Sequence, residues 1–526
     1  MDIIEKEKKK RTILYGLLVT VLVLIGVTYA YYRITKTQTN SNVIGTRTCL
    51  NTTLTEETSE IVLSDAFPIS DEDGLKQSPF TFTLTNNCDS YVKVTIALVS
   101  EYRTSTNTAY LKDNYVKSNL STKGINDGSS VILSTLSLEE VDTNTEGYIL
   151  KTTGLKNKEA KSFDLRLWLD SETTNEQGLN KTWKGKIVVS VVAAEYVPTF
   201  SETILANNKV KTPITTPGAA VSTADEALLA SAEDDYGTSY YFRGAVTNNY
   251  VEFANKCWRI VRVGGDGSVK LILHNDNPTG AANPCDAANN SASAAFARYS
   301  GETYKSAFNT FTNDNVYVGF KYGIPYSNTY EATHANTNKS TILTNLEAWY
   351  NNNLKTYESV IADSVWCNDK TNVADTTFNP WNWSNVNGLG YAKNVTYYGA
   401  TQRLVSTSDS AGGTGPSLKC NGELSEITSK VGLITADELA FAGYAYGKNN
   451  TTTYLQENAT SDYWWSLSPV VFDGGYAFVL DVSGGEGSFG IGFVFAAGVV
   501  RTSISLRSTT NVTGDGTSEN PFIVET

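Results

Sequence analysis

The stretch CWRIVRVGGDGSVKLIL (residues 257–273) decides the fold of the second half of this 526-residue chain. Apolar and polar residues alternate in its two arms, which the glycine-rich turn 264–267 joins. This pattern is typical of two antiparallel strands in a hairpin. Glycines also line phosphate-binding loops, but no helix opening with Lys-Ser or Lys-Thr follows here. The stretch therefore predicts a hairpin turn and not a phosphate loop.

Two helix patterns follow downstream. The segment STILTNLEAWYNNNLK (340–355) has apolar residues at helical spacing, with Ser340 in the position of an N-cap. In VGLITADELAFAGYAYG (431–447), Thr435 stands three residues before Glu438, which is the pattern of a capping box. Strand patterns then continue to the C-terminus, so this half combines strands with few helices.

The stretch DGGYAFVLDVSGGEGSFGIGFVFAAG (473–498) differs in composition from the chain around it. Asparagine is frequent elsewhere, but none occurs between Asn458 and Asn511, and Lys, Gln and His are also absent there. Phenylalanine and isoleucine alternate with glycine and valine from Phe489 to Phe495. Such alternation predicts a half-buried strand.

The order of these motifs resembles that of bacterial surface proteins with a C-type-lectin-like domain, from gut-type Gram-positive bacteria. Related lectin-like proteins include formylglycine-generating enzymes and the variable proteins of diversity-generating retroelements. The resemblance implies an α+β lectin-like ligand-binding domain over residues 236–526. In the variable proteins, error-prone copying at template adenines rewrites codons in the last part of the gene.

Such rewriting would explain the composition of the C-terminal stretch. Asn codons altered at their adenines encode Gly, Ser, Asp, Tyr, Phe, Ala, Val or Ile, and never Lys, Gln, Glu, Met or Trp. Between Ser466 and Thr510, only Glu486 belongs to the second set. Strands with glycine turns also exclude Asn and Lys, so diversification and ordinary drift both remain open.

The resemblance and the aromatic alternation together indicate a ligand-binding surface in this stretch. Aromatic side chains offer a large contact area at low entropy cost. If the aromatic row faces inward, the exposed residues are instead Gly and Ser, whereas Trp258, Trp464 and Trp465 are expected in the core. The expected ligand is a protein, a glycan or a phage. The candidate ligand-binding residues are Asp473, Tyr476, Phe478, Ser488, Phe489, Phe493 and Phe495.

Catalysis, cofactors and nucleic acid are not expected. The final cysteine, Cys420, precedes the strands that hold the paired copper-binding cysteines of formylglycine-generating enzymes, and the other common catalytic motifs are missing. The two histidines, His274 and His334, are far apart, and no metal site is predicted. A net charge of −13 argues against binding to phosphates. A structural surface or matrix protein, with a polymerising N-terminal domain, is the remaining alternative.

The N-terminal segment predicts export from the cell. Residues 1–11 are basic, and residues 12–32 form an uncharged run of the length that crosses a bilayer as a helix. A cleaved signal peptide, with Ala30 near the cut, is the alternative. We expect either a single-pass membrane protein with its C-terminal domains outside, or a secreted one.

The region after this run reads as all-β. FTFTLTNNCDSYVKVTIAL (80–98) contains two alternating runs around a turn, which predicts a hairpin. The segment 66–86 resembles exported matrix-fibre and camelysin-type proteins. Residues 198–235, with three prolines and little periodicity, are expected to be a linker, with a short helix capped by Ser222 or Thr223.

Six cysteines in an exported chain predict disulfides. We expect Cys257–Cys285 and Cys367–Cys420, and no bridge between these four and Cys49 or Cys88. The predicted fold class is multidomain, with a transmembrane helix, an all-β sandwich and an α+β lectin-like domain. The domains are a basic segment (1–11), a membrane or signal segment (12–32), a sandwich stalk (33–197), a linker (198–235) and a ligand-binding domain (236–526).

Overall fold

A computed structural model describes seven ranges of the chain: 34–37, 52–56, 61–64, 66–124, 128–219, 226–383 and 387–526. The chain divides into two compact units, of which the first ends at Val197 and the second begins at Pro198.

The first unit contains two six-stranded sheets. Its strands are β1 (Ile34–Thr37), β2 (Thr52–Glu56), β3 (Ile61–Ser64), β4 (Pro68–Ile69), β5 (Phe80–Asn86), β6 (Val92–Ser100), β7 (Val116–Thr122), β8 (Val131–Ile132), β9 (Leu138–Asp142), β10 (Thr145–Leu155), β11 (Ala160–Asp170) and β12 (Thr182–Ala193). Its helices are α1 (Asp71–Leu75) and α2 (Asn175–Gly178).

The two sheets are sandwich-like, since one apolar core contains side chains from both. The first has the order β1-β12-β6-β10-β9, with β3 also on β12, and the second has the order β2-β5-β11-β7-β8, with β4 also on β11. Phe82 of β5 and Ile96 of β6 share the core. The predicted hairpin of β5 with β6 is therefore wrong, because these strands lie in different sheets. At the end of β5, the side-chain amide of Asn86 donates to the carbonyls of Ser90 and Leu155. These hydrogen bonds hold the connection that carries the chain from one sheet to the other.

The second unit has eighteen strands among its described residues. They are β13 (Ala227–Asp234), β14 (Gly237–Gly244), β15 (Tyr250–Phe253), β16 (Lys256–Val263), β17 (Val269–Asn275), β18 (Lys305–Ser306), β19 (Lys321–Tyr322), β20 (Asn338–Lys339), β21 (Ser364–Cys367), β22 (Thr396–Tyr397), β23 (Glu426–Ser429), β24 (Trp464–Phe472), β25 (Ala477–Val482), β26 (Phe489–Phe493), β27 (Gly498–Val499), β28 (Ser503–Leu506), β29 (Val512–Thr513) and β30 (Phe522–Val524). The helices are α3 (Phe200–Asn207), α4 (Tyr330–His334), α5 (Thr341–Asn353), α6 (Gly399–Leu404) and α7 (Ala436–Ala442).

Two large sheets build this unit. The eight-stranded sheet has the order β13-β14-β16-β15-β30-β29, with β17 joining β16 to β28. The hairpin predicted for 257–273 is confirmed, because β16 and β17 pair antiparallel. The six-stranded sheet has the order β18-β27-β24-β25-β26, with β22 also on β24.

The two predicted helices are confirmed as α5 and α7. The hydroxyl of Ser340 accepts the amide of Leu343 at 3.2 Å and caps α5. At α7, the Thr435 hydroxyl accepts the amide of Glu438, and the Glu438 carboxylate accepts the amide of Thr435. Local capping signals therefore placed both helices correctly.

The two predicted disulfides of this unit are confirmed. Cys257 bonds to Cys285, and Cys367 bonds to Cys420. The first is buried in the core, whereas the second joins β21 to a surface loop. Position 49 lies outside the described residues.

The predicted transmembrane helix, and the membrane location that depended on it, are corrected. In the described ranges no helix is long and apolar enough to span a bilayer. Even α5 has only 13 residues, a length of about 20 Å, against the roughly 30 Å of a bilayer core. The run 12–32 itself falls outside these ranges. The observed class is β-rich, with 38% strand and 14% helix.

The interval expected to be a linker contains regular structure. Helix α3 begins with a capping box of Thr199 and Glu202, and Phe200 and Ile204 are buried in the core of the second unit. Further on, β13 occupies the segment for which a short helix was expected. The apolar residues of this interval are buried in the core of the second unit, to which the interval itself belongs, and composition alone does not show this.

We predict that Gly492→Ala destabilises the protein. An added Cβ would lie 2.5 Å from the indole of Trp465 and 2.7 Å from a carboxylate oxygen of Asp481, and both side chains are buried. The overpacking should lower the free energy of unfolding by about 1–3 kcal/mol. Chemical denaturation measures this change. Gly485→Ala, which meets nothing within 4 Å, is the control and should change it by less than about 0.5 kcal/mol.

Candidate functional site

The predicted site lies on the hairpin of β25 and β26, at one edge of the six-stranded sheet. Phe478 lies opposite Phe493, and Leu480 lies opposite Ile491. Because side chains alternate along a strand, these residues share one face of the hairpin. Asp481 and its partner Gly490 occupy the opposite face.

Three aromatic side chains at the end of this hairpin are exposed and touch one another. Tyr476, Phe493 and Phe495 are 47%, 41% and 47% exposed. Their ring centroids are 5.4 Å apart for Tyr476 and Phe493, and 5.5 Å apart for Phe493 and Phe495. Contiguous exposed apolar groups mark interaction sites more often than single ones do. We call these three residues the aromatic patch.

The patch continues inward through a chain of aromatic contacts. Phe478, which is buried, lies 4.5 Å from Phe493 and 5.6 Å from the half-buried Trp383. Trp383 contacts Trp381, whose indole N–H donates to a carboxylate oxygen of Asp409 at 2.8 Å. The patch therefore rests on packed rings, which limit the freedom of its side chains.

The turn before β25 is held by hydrogen bonds. A carboxylate oxygen of Asp473 accepts the amides of Gly475 and Tyr476 at 2.8 and 2.6 Å. The amide of Ala477 donates to the carbonyl of Thr312 at 2.8 Å. Phe311, next to Thr312 in the loop that bonds to the hairpin, is 62% exposed, so this loop also carries an exposed aromatic ring.

The other candidate residues are covered. Phe478, Ser488 and Phe489 are each at most 6% exposed, and Phe489 stacks on Tyr444 with centroids 6.1 Å apart. Asp473 is half-buried. The expected core residues Trp258, Trp464 and Trp465 are buried, as predicted.

Sequence reasoning did not single out Trp381, Trp383 and Phe311. The two tryptophans stand in the motif NPWNW (379–383), where two large rings follow a proline. That motif was visible, but its proximity to β25 depends on contacts between residues almost a hundred positions apart. Only the folded chain brings it beside Phe478.

A buried carboxyl group lies behind the patch, on the other face of the hairpin. Asp481 is 8% exposed and has no ion pair with any described Lys, Arg or His. Burial raises its pKa to about 7, although a hydrogen bond from the backbone of Gly490 opposes the shift. This group is therefore largely protonated in the folded protein below neutral pH.

Both histidines are buried, and no metal-binding cluster is found among the described residues. No group of three or more His, Cys, Asp or Glu side chains in the described ranges is arranged to hold a metal ion. Burial, aided by the charge of Lys370, lowers the pKa of His334 to about 3. His274 is also buried, and its pKa is lowered by burial first and then by Arg259 and Arg501.

Comparison of the chain with known protein families, curated proteins and solved structures finds no match. The site must therefore be interpreted from its own geometry.

We predict that Asp481→Asn stabilises the protein at neutral and higher pH. The unfolded chain releases this proton near pH 4, whereas the folded protein holds it to about pH 7, so wild-type stability falls between these values. The amide cannot ionise and avoids this penalty, which reaches up to about 4 kcal/mol above pH 7.

Denaturant unfolding from pH 4 to pH 8 tests this. The advantage of the variant should grow as pH rises. Glu486→Gln, which removes an exposed carboxylate from the same hairpin, serves as the control. An equal difference between wild type and Asp481→Asn at every pH would show that folding does not raise the pKa of Asp481.

Proposed function

We propose that this chain is a ligand-binding protein that contacts its ligand through the aromatic patch. The supporting observation is the group of three exposed, mutually packed rings of Tyr476, Phe493 and Phe495 on a braced hairpin. Contiguous exposed apolar patches on soluble proteins often mark interaction sites.

The energetics of aromatic contact favour this use. Full burial of a phenylalanine side chain contributes about 1.5–3 kcal/mol, so covering the exposed half of each ring contributes roughly 1 kcal/mol. Because packed neighbours already restrict these rings, binding loses little side-chain entropy. Three such rings together contribute roughly 3 kcal/mol, which is about a hundredfold in affinity.

The chemistry of the patch suits apolar peptide side chains and the apolar faces of sugars. No lysine or arginine occurs between Ser466 and Val500, so the hairpin carries no cation for anionic groups. The turns before and after β25 instead carry the carboxylates of Asp473 and Glu486. Acidic glycans and phosphorylated peptides are accordingly poor candidates.

We predict that Tyr476→Ser combined with Phe493→Ser weakens specific ligand binding. A phage-displayed peptide library and a neutral-glycan array, screened with the full chain, supply the probes. Each probe that binds the wild type should bind the variant about tenfold or more weakly, a loss above ~1.4 kcal/mol. Each ring is also more than half covered by its neighbours, so the melting temperature is measured alongside binding to show that the variant is folded.

Ile523→Ser is the matched control. Ile523 has the same 47% exposure as Tyr476 but lies on β30, in the other sheet. Probes that bind this control and the patch variant equally well would place the binding surface elsewhere. Selective loss in the patch variant supports the proposal.

We further propose that the exposed positions of this hairpin are diversified by adenine-directed rewriting of their codons. Tyr and Phe, the residues of the patch, belong to the set that altered Asn codons encode. At the buried positions of β25 and β26, a new polar side chain would lose its hydrogen bonds to water and destabilise the fold. Diversification is therefore compatible with this fold only where side chains reach solvent.

This makes a prediction about the gene. A nearby near-copy of the coding stretch for 466–506 should differ from it almost only at template adenines, and the variable codons should include 476, 493 and 495. Sequencing the locus in many cells measures this. A locus without a near-copy, and with an invariant stretch, would leave a ligand-binding protein of fixed specificity.

A further inference from the structure

A concave site lies in the second unit and shares no residue with the aromatic patch. It is a cleft between the turn of β13 and β14, the turn of β16 and β17, and the loop 417–420. Two adjoining hollows form it, and Tyr236 borders both. The disulfide Cys367–Cys420 closes one wall.

The floor of this cleft is charged, but its charges are paired. Arg262 contacts Asp234 and Glu438, each at 2.9 Å, and Lys270 contacts Glu438 at 2.6 Å. Burial raises the pKa of Glu438, but the charges of Lys270 and Arg262 outweigh it and lower the pKa to about 2. Arg403 contacts a carboxylate oxygen of Asp437 at 2.7 Å. The floor therefore presents little free charge to a ligand.

The rim has an excess of negative charge around an aromatic ring. Tyr236 is 61% exposed at the tip of the β13–β14 turn. Burial first, and then the charges of Glu426, Asp266 and Asp235, raise the pKa of Tyr236. These three carboxylates are exposed, and none has an ion pair with a described residue. Lys419 is the exposed cation that also borders the cleft.

We infer that this cleft binds a cationic group, a guanidinium or an alkylammonium, against the ring of Tyr236. A cation over an aromatic face is attracted by the electron density of the ring, and the surrounding carboxylates add a Coulombic attraction. Tyr236 and the carboxylates of Asp235 and Asp266 border the cleft, and the charge of Glu426, outside its lining, acts on the same ring. An anion would meet the same carboxylates and be repelled.

The geometry of the rim is fixed before any ligand arrives. The carboxylate of Asp234 accepts the amide of Tyr236 at 2.8 Å and the amide of Gly265 at 3.0 Å, and it thereby joins the two turns. A carboxylate oxygen of Asp235 accepts the amide of Cys420 at 2.8 Å. A preorganised site loses less entropy on binding.

Calorimetric titration of the full chain at low and high salt tests the inference. The probes are argininamide and a tetra-arginine peptide, with a tetra-citrulline peptide as the uncharged counterpart. We expect saturable binding of the cationic probes, weakened by salt, and none of the citrulline peptide. Much tighter binding of the tetra-arginine peptide would indicate a basic peptide segment as the ligand, and similar binding of both would indicate a small cation.

Three variants locate the bound cation. Glu426→Gln, Asp266→Asn and Tyr236→Leu should each weaken binding, by up to about fivefold. Glu519→Gln removes an exposed carboxylate outside the lining of the cleft and should leave binding unchanged. Absence of saturable binding to wild type, or equal binding by all four variants, would overturn the inference. Unchanged circular dichroism and melting temperature confirm that each variant is folded.

Discussion

The complete burial of β24 is the constraint on which the six-stranded sheet depends. Every residue from Trp464 to Phe472 is buried, so both faces of this strand are covered and its backbone is paired by β22, β25 and β27. The glycine at 492 lets the backbone of β26 lie directly over the indole of Trp465. The hairpin can then pack close to the core, and solvent reaches its turn at Gly485 and Glu486 and its opposite, open end. That end carries the aromatic patch.

The sequence predicted the parts of the fold that local signals determine. The alternation and glycine turn of 257–273 specified a hairpin, and the caps at Ser340 and Thr435 specified helices. Such local signals do not show which strands pair when they are far apart in the sequence. The runs of β5 and β6 are adjacent in sequence and alternate well, yet each pairs with strands from distant parts of the chain. Composition also concealed α3, although the spacing of Phe200 and Ile204 after a capping box was a visible helix signal.

In the candidate site, too, the sequence pattern predicts local geometry but not the contacts with distant parts of the chain. Alternation correctly indicated that Phe489 and Phe493 share a face of β26, but it does not reveal what covers that face. Tyr444 stacks on Phe489, whereas Phe493 extends beyond this cover and is 41% exposed. Periodicity therefore defined the face, and the tertiary contacts of distant loops determined which of its residues a ligand can reach.

The two proposed sites obtain their rigidity from different interactions. The aromatic patch stands on apolar packing, while the cleft stands on buried ion pairs, whose desolvation cost offsets much of their attraction. The ion pairs of Arg262 therefore add little to the net free energy of unfolding. Its guanidinium joins Asp234 at the end of β13 to Glu438 in α7, and so fixes a turn relative to a helix. Because Asp234 also accepts the amide of Tyr236, this network sets the position of the exposed ring. The charges of the floor are paired, so the carboxylates of the rim determine which ligand charge is attracted.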